Sequence, residues 1–433
     1  MHPLKPSVAF FLKLGILALE LALPIEKAPA QSFNIIYNFT GGLDGGGPDG
    51  QLAMDASGSL YIAATGANFG QYSGAADKLK HTPSGWVPQP LYDFNFNSGN
   101  GDGALPLGVV LASNGVVFGA TSAGGTGYCG NVFQLRPSPT FASTPLAPWD
   151  ETILYQFPSQ QGSRDGCQPS SAPIVGPAGN LYGPTIAGGE NNRGAVYELA
   201  HSGQSYTEQL IYSFQPDGQN DGHGPSAGLV ADSSFTHLYG VTVWGGPLYG
   251  CRNYFGCGTV FKLTDTGSGW TETILYTFQG GSDGEFPTIG LALDSLGNLY
   301  GAAAGGVGGG GTIFKLTRLG ESYTFNVLYS FNGSGGSCGF YSCGALTVDS
   351  AGNIYGTTSS LGAQNQGSVF KLSPSGEGYA YTDLHDFTGG ADGAYPMGGV
   401  IRDASGNLYG TTNGGGTGPC GSYGCGVVWE ITP

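Results

Sequence analysis

An all-β ring of seven four-stranded antiparallel blades is the architecture this sequence predicts, on three observations. The phrase Tyr-x-Phe, a spacer, Asp-x-x-Gly-Asn-Leu-Tyr-Gly and then Gly-x-Val-Phe-x-Leu recurs seven times with variation, marked by Phe39, Phe94, Phe157, Phe214, Phe278, Phe331 and Phe387 at intervals of 55, 63, 57, 64, 53 and 56 residues. The 81 glycines and 26 prolines recur in register with Val, Phe, Tyr and Leu, so they punctuate strands instead of signalling disorder. The chain also opens on the last type of strand in the repeat and closes on the third, as a ring sealed by its own termini would. A unit of this size with four short β runs cannot bury its apolar face alone, so the copies pack against one another around a common axis.

The fifth copy shows the elements in order. Gly290 to Asp294 gives strand A, Gly297 to Gly301 strand B, Gly311 to Leu316 strand C and Phe325 to Phe331 strand D. Asp294 to Gly297 is short enough for a tight A–B hairpin, whereas Gly305 to Gly310 makes a longer B–C loop. Four antiparallel strands per repeat suit a β-propeller blade, with A lining the central channel and D at the rim. A β-helix solenoid is the competing reading, but its coils are shorter and rarely need so many hairpin turns. The first run, Ile35 to Phe39, is of D type and the last, Gly426 to Ile431, of C type, so the N-terminal strand is expected to complete the last blade. Such closure removes the unpaired edges that an open array would expose. Tyr182, Tyr239, Tyr300, Tyr355, Tyr409, Phe133, Phe261, Phe314 and Phe370 are expected as core between blades.

Residues 1–30 stand apart. Lys5 and Lys13 precede the apolar run Leu14 to Leu23, and Ala28-Pro29-Ala30 offers a cleavage site before Gln31, so 1–30 is expected to be a signal peptide and 31–433 a single propeller domain. No second apolar stretch follows, and no transmembrane anchor is expected in the mature chain. Lys and Arg number 14 against 30 Asp and Glu, a formal net charge of −16 that repels phosphate backbones and argues against nucleic acid or anionic membrane as partners. The eight cysteines are even in number and lack Cys-x-x-Cys spacing. With an export signal they read as disulfides: Cys251–Cys257, Cys338–Cys343, Cys420–Cys425 and, by elimination, Cys129–Cys167.

The repeated Gly-Asn-Leu-Tyr-Gly-Thr-Thr, intact at 406–412 and with Ile for Leu at 352–358, is followed by Gly-x-Val-Phe-x-Leu and Leu-Tyr-x-Phe in fixed order. Over residues 34–433 this resembles the bacterial GloVer tandem-repeat (choice-of-anchor) surface proteins. The resemblance implies export and an extracellular or cell-envelope setting, and it brings no catalytic residues.

In a ring of antiparallel blades the D–A and B–C loops open on one face. All eight cysteines fall in those loops, as does Asp-Gly-x-x-Pro, which starts at Asp44, Asp102, Asp165, Asp221, Asp283 and Asp392. The motif reads as a loop former, in which Asp bonds amides two residues on, Gly supplies positive φ and Pro fixes the entry to strand A. A second reading has the six carboxylates bind Ca²⁺ or a cationic ligand, although calcium takes roughly six to eight oxygens. No cofactor is otherwise expected. Aromatics gather on the same face. Trp244, Tyr249, Tyr254 and Phe255 share the longest B–C loop with Arg252, while Tyr341 and Tyr423 lie in other loops, and these seven are the candidate ligand-binding residues. Flat rings beside polar groups suit sugars or peptides, and the alternative is that they cover loops lacking a core of their own.

Catalytic signatures are missing. His81, His201, His223, His237 and His385 keep no fixed offset to a Ser, Cys or carboxylate and read as packed or solvated residues. The expected function is a non-enzymatic, monomeric, extracellular module that binds a glycan or a protein through the D–A/B–C face. A polysaccharide lyase or glycoside hydrolase using loop carboxylates is the rival, and a purely structural surface protein the third reading.

Overall fold

The computed structural model describes residues 31–66, 73–95, 101–139, 149–158, 164–215, 221–246, 251, 255–333, 344–376 and 378–433. Residues 1–30, and with them the expected signal peptide, lie outside the described residues. Among those described, seven antiparallel sheets form the blades of a seven-bladed β-propeller. Blade 1 runs Ala53–Met54, Leu60–Ala64, Ser73–Thr82 and Gly85–Asn95, and blade 2 runs Gly103–Leu111, Val117–Gly124, Asn131–Pro137 and Trp149–Gln156. Blades 5 and 6 follow the same order, starting at Ala292–Leu293 and Thr347–Val348. In blades 3 and 4 the innermost strand is broken into two pieces, Cys167–Pro169 with Ile174–Val175 and Gly222–Pro225 with Val230–Ala231, each piece pairing with its strand B, Leu181–Ala187 or His237–Gly245.

Blade 7 is completed from both ends of the chain. Ser32–Asn38 pairs antiparallel with Val427–Thr432, in the register Phe33 with Ile431, Ile35 with Trp429 and Tyr37 with Val428. The closing strand thus starts three residues before the Ile35 expected from the sequence, because Ser32, Phe33 and Asn34 extend the ladder to Thr432.

Each seam between neighbouring blades holds its own apolar cluster. Val260, Phe278, Leu291, Leu299 and Phe314 bind blade 4 to blade 5, and Phe39, Leu52, Leu60, Leu79, Tyr409 and Val428 bind blade 7 to blade 1. All seven marker phenylalanines are buried, from 0% to 4% exposed. Each contributes on the order of 1.5–3 kcal/mol of burial. The glycine after the strand B aromatic makes room for the aromatic ring of strand C. A Cβ on Gly240 would lie 2.5 Å from Cζ of Phe261, and Gly119/Phe133, Gly301/Phe314, Gly356/Phe370 and Gly410/Trp429 repeat the arrangement. Blade 1 changes both partners at once, pairing Ile62 with Asp77.

The A–B hairpins are locked by the Asp of Asp-x-x-Gly-Asn-Leu-Tyr. Asp294 accepts bonds from the amides of Leu296 (2.9 Å) and Asn298 (2.8 Å), from Asn298 Nδ2 (2.8 Å) and from the Tyr300 hydroxyl (3.0 Å). Asp349 repeats the set. Four donors on one carboxylate outweigh partial burial and hold both groups below the usual carboxylate range. At the axis the inner strands approach through glycine. A Cβ on Gly50 would meet Leu107 O at 2.5 Å, and one on Gly344 would meet Gly398 O at 2.0 Å, so the channel is walled by backbone.

Candidate functional site

The Asp-Gly-x-x-Pro carboxylates are used up inside the loops. Asp44 accepts from the Tyr37 hydroxyl (2.8 Å), Thr40 N (2.7 Å), Thr40 Oγ1 (2.6 Å) and Gly42 N (3.1 Å). Asp221 accepts from the Tyr212 hydroxyl (2.9 Å), Gln215 N (2.8 Å) and Gly222 N (2.7 Å). Asp283 and Asp392 follow suit, with His385 in place of tyrosine at Asp392, and Asp102 and Asp165 likewise accept from Tyr92 and Tyr155. These bonds run mainly back to the turn that leaves strand D, not to amides two residues on as the sequence suggested, because the amides after the marker phenylalanine point into the loop. Among the described residues no group of three His, Cys, Asp or Glu is placed to hold a metal ion.

In several copies the residue before the proline ties one blade to the next. Gln168, Phe286 and Tyr395 take left-handed φ values of 59°, 52° and 55°, and Gly224 takes 64°. Their amides donate to the carbonyls of Cys129 (2.8 Å), Cys257 (2.7 Å), Gln366 (2.8 Å) and Arg193 (2.8 Å), each just ahead of strand C in the preceding blade. A bulky side chain in this conformation costs roughly 1–3 kcal/mol, and the inter-blade bond holds it there. Disulfides staple the same positions. Cys129–Cys167 crosses from blade 2 to blade 3 with Cα atoms 4.8 Å apart, while Cys251–Cys257 and Cys420–Cys425 close single loops. The expected Cys338–Cys343 pair lies outside the described residues.

At the seam of blades 3 and 4 the loops part around a hollow of about 380 Å³. Its walls are Gln168, Ile186, Ala187, Asn192 and Arg193 from blade 3, and His223, Gly224, Trp244 and Phe255 from blade 4. Trp244 is half-buried and its indole lies over the His223 imidazole, with ring centres 5.6 Å apart and planes at 29°. Gly224 makes room for that indole, since a Cβ there would come within 2.6 Å of Trp244 Cε3. At the next seam Phe286 stands where blade 4 has Gly224 and packs with Val243 and Ala304.

The repeat supplies its own control. Five residues after the strand B aromatic, where blade 4 has Trp244, the other copies carry Gly66, Ala123, Ala187, Gly305, Ser360 and Gly414. The His223 position is Gly46, Ala104, Cys167, Glu285 or Ala394 elsewhere, and the Arg193 position is Ser73, Cys129, Cys257, Gly310, Gln366 or Cys425. The ring closes six times without these three side chains, and all three departures meet at one hollow.

Of the candidates named from the sequence, Trp244 and Phe255 line the hollow. Tyr249, Arg252, Tyr254 and Tyr341 lie outside the described residues. Tyr423, 65% exposed, belongs to a loop of blade 7 and does not line it. His223, expected as a packed or solvated residue, is buried and forms a wall, and Gln168, Asn192 and Arg193 were not singled out at all. Aligning the seven copies position by position is the signal that finds Arg193 and His223.

Two other polar features are built differently. The axial channel opens into about 420 Å³ lined mainly by inner-strand residues such as Gly50, Gly108, Ser171, Gly228 and Gly290, with Asp49 the one carboxylate among its described lining residues. Burial pushes Asp49 up to about 6 against the opposing bonds from Asn413 and Thr65. At the seams of blades 1 to 4, a glutamate four residues before the strand D tyrosine lies near the preceding blade's Asp–Tyr pair. Burial, reinforced by Asp102, pushes Glu151 up to about 7, burial and Asp165 do the same for Glu208, and burial and Asp221 take Glu272 to about 8. In the later seams a ring replaces that glutamate, and Phe325 stacks on Tyr276 at 3.7 Å, Tyr381 on Tyr329 at 5.1 Å and Phe33 on His385 at 3.6 Å. None of the three glutamates lines the hollow.

Among solved structures, the chain is similar to an ulvan lyase of a polysaccharide lyase family (12% identity, 87% of this chain and 88% of that one, TM-score 0.49). It is also similar to a glucose dehydrogenase (14%, 93% and 99%, TM-score 0.45) and to a protein of unknown function from Dyadobacter fermentans (10%, 93% and 99%, TM-score 0.44). At these values the likenesses assign no chemistry. No curated protein sequence matches the chain significantly. The Gloeobacter/Verrucomicrobia repeat matches residues 144–338 and 248–433, which together span more than half of the chain. With its repeat unit, its blades and this match in agreement, the chain belongs to the Gloeobacter/Verrucomicrobia repeat family.

Proposed function

We propose that this propeller is a non-catalytic glycan-binding module whose site is the hollow between blades 3 and 4. The observation that carries the reading is the convergence of Arg193, His223 and Trp244, each a departure from the residues of the other copies, on one hollow walled by an indole. An indole face beside amide and cationic side chains suits a sugar ring, whose apolar face stacks while its hydroxyls take the polar neighbours. Binding is favoured over hydrolysis or lyase chemistry because the loop carboxylates that a catalyst would use accept bonds from tyrosine hydroxyls and loop amides. Residues 1–30 act as an export signal on this reading, and 31–433 work outside the cytoplasm as a monomer. Three disulfides among the described residues support an oxidising compartment, and no helix among them is long and apolar enough to cross a membrane.

The test is a glycan array probed with residues 31–433, with and without Ca²⁺, alongside Trp244→Ala. Binding of one sugar class without turnover, unchanged by Ca²⁺ removal and weakened by about 1–3 kcal/mol in the variant, is the expected result. Degradation of a bound polysaccharide, or binding indifferent to Trp244, overturns it.

A further inference from the structure

We infer that the face opposite the hollow carries a second site, at the seam of blades 4 and 5, where Lys262 and Arg318 take a tetrahedral oxyanion, phosphate or sulfate, in the place that the Glu321 carboxylate fills. The cause is one added residue. In blades 1, 5, 6 and 7 the hydroxyls of Tyr61, Tyr300, Tyr355 and Tyr409 donate to Oδ2 of the A–B hairpin aspartates Asp55, Asp294, Asp349 and Asp403, at 3.2, 3.0, 3.2 and 3.3 Å. Blade 4 is one residue longer between its aspartate and its tyrosine, and the longer hairpin brings in His237. Its imidazole Nδ1 takes Asp232 Oδ2 at 2.7 Å. Tyr239 is turned instead to the next blade, where its hydroxyl accepts from that of Tyr323 at 3.3 Å.

Lys262 is displaced in turn. Lys78, which faces Tyr61 as Lys262 faces Tyr239, bonds Asp55 Oδ2 at 3.1 Å and the Tyr61 hydroxyl at 2.6 Å. Lys315 and Lys371 lie over the rings of Tyr300 and Tyr355. Lys262, on the strand Thr259–Asp265, reaches across the seam to Glu321 Oε2 at 3.4 Å. Glu321 lies in the hairpin between Gly309–Leu319 and Ser322–Asn332 of blade 5. From the same hairpin a terminal nitrogen of Arg318 comes within 3.6 Å of the other carboxylate oxygen, while its Nε donates to Gly320 O at 2.9 Å and fixes the guanidinium. Lys262 is 7% exposed, whereas the Glu321 side chain is 77% exposed. A nearly buried ammonium is thus answered by one long contact to a carboxylate on a hairpin tip, and such exposed ion pairs contribute little. The bond and charge of Lys262, helped by Arg318, hold the Glu321 carboxyl below its usual range, so the place favours an anion. A fixed guanidinium fork beside a point-charge ammonium matches the several oxygens of a phosphate or sulfate group better than a single carboxylate does. None of these residues lines the hollow between blades 3 and 4.

Calorimetry in phosphate- and sulfate-free buffer tests this, with inorganic phosphate, inorganic sulfate, methyl phosphate and methyl sulfate against the wild type, Glu321→Gln, Lys262→Gln and Arg318→His, each variant melted alongside. Blade 2 carries Gln134 where blade 4 has Lys262, and blades 1 and 3 carry His81 and His201 where blade 5 has Arg318, so the fold accepts these residues in equivalent settings. The expected result is that at least one of the four anions binds the wild type, about threefold or more tighter in Glu321→Gln because a weak competitor is gone, and about tenfold or more weaker in Lys262→Gln and in Arg318→His. Matching affinities for an ester and its parent ion assign the site to an end group on a larger ligand, and binding of the inorganic ions without the esters assigns it to the free ion. Failure of all four anions to bind both the wild type and Glu321→Gln overturns the inference, as does weaker binding in Glu321→Gln. Binding that survives in both Lys262→Gln and Arg318→His also overturns it, and if Lys262→Gln melts far below wild type, Arg318→His alone decides.

Discussion

Replacing Asp283 with alanine separates a structural carboxylate from a working one. The side chain accepts three bonds, from the Tyr276 hydroxyl at 2.9 Å, Gln279 N at 2.8 Å and Gly281 N at 3.2 Å. A bond to a charged acceptor contributes roughly 1.5–3 kcal/mol. Gln279 and Gly281 are exposed, so their amides regain water when the carboxylate goes, and the Tyr276 bond counts most. That tyrosine is half-buried and held flat against Phe325 with ring centres 3.7 Å apart, so its hydroxyl is slow to find a new partner. The expected loss is about 2 kcal/mol. At roughly 2.1 cal/mol/K of unfolding entropy per residue, a chain of this length unfolding as one unit would lower its Tm by about 2–3 °C. Thermal and urea melts of wild type and Asp283→Ala, with glycan affinity measured on the same preparations, check it. An unchanged Tm with binding or turnover abolished would refute the reasoning, because the carboxylate would then be acting on a ligand.

Stability should peak at mildly acidic pH. Glu151 and Glu208 hold their protons to about pH 7 in the folded ring but release them near 4.5 when unfolded, so raising the pH across that window favours unfolding, and Glu272 extends the window to about 8. Asp55, depressed to about 2 by its bonds to Ser57, Ser59 and Lys78 despite partial burial, and the similarly depressed Asp294 and Asp349 lose their contribution as pH falls below about 4. A Tm series should fall from pH 5 to pH 8 and less steeply in Glu272→Gln, whereas a flat series contradicts the seam electrostatics. The Cys129–Cys167 bridge, with a sequence separation of 38, should cost more to remove than Cys251–Cys257, with a separation of 6. The loop-entropy values are about 4 and about 2 kcal/mol, to be measured as urea midpoints of the paired serine variants. Mass mapping of non-reduced peptides should also recover a Cys338–Cys343 link.

The ring was legible in the sequence because it is written repeatedly and because closure follows from phase alone. A D-type run at Ile35 and a C-type run at Val427 have one way to pair without leaving an edge. The core phenylalanines were legible for the same reason, since period-two spacing places Phe261 and Phe314 inward. The left-handed φ at Gln168, Phe286 and Tyr395 was not, because nothing in those residue types announces it; the inter-blade bond imposes it. The hollow was half visible. Trp244 stood out as a loop aromatic, but Arg193 and His223 precede it by 51 and 21 residues and meet it through blade-to-blade packing alone. Their signal is a departure from the repeat, and a search for shared motifs averages it away.

The central claim is that one seam of an otherwise regular ring has been altered for binding. Returning that seam to the residues of its sister copies tests it most directly: Arg193→Gln as in blade 6, His223→Ala as in blades 2 and 7, and Trp244→Ala as in blades 2 and 3. Affinity of the triple variant for the glycan that the wild type binds, measured by calorimetry with melting temperature alongside, should fall beyond detection while the ring stays folded and melts within a few degrees of wild type. Retained affinity, or a collapse of the fold, would contradict the claim.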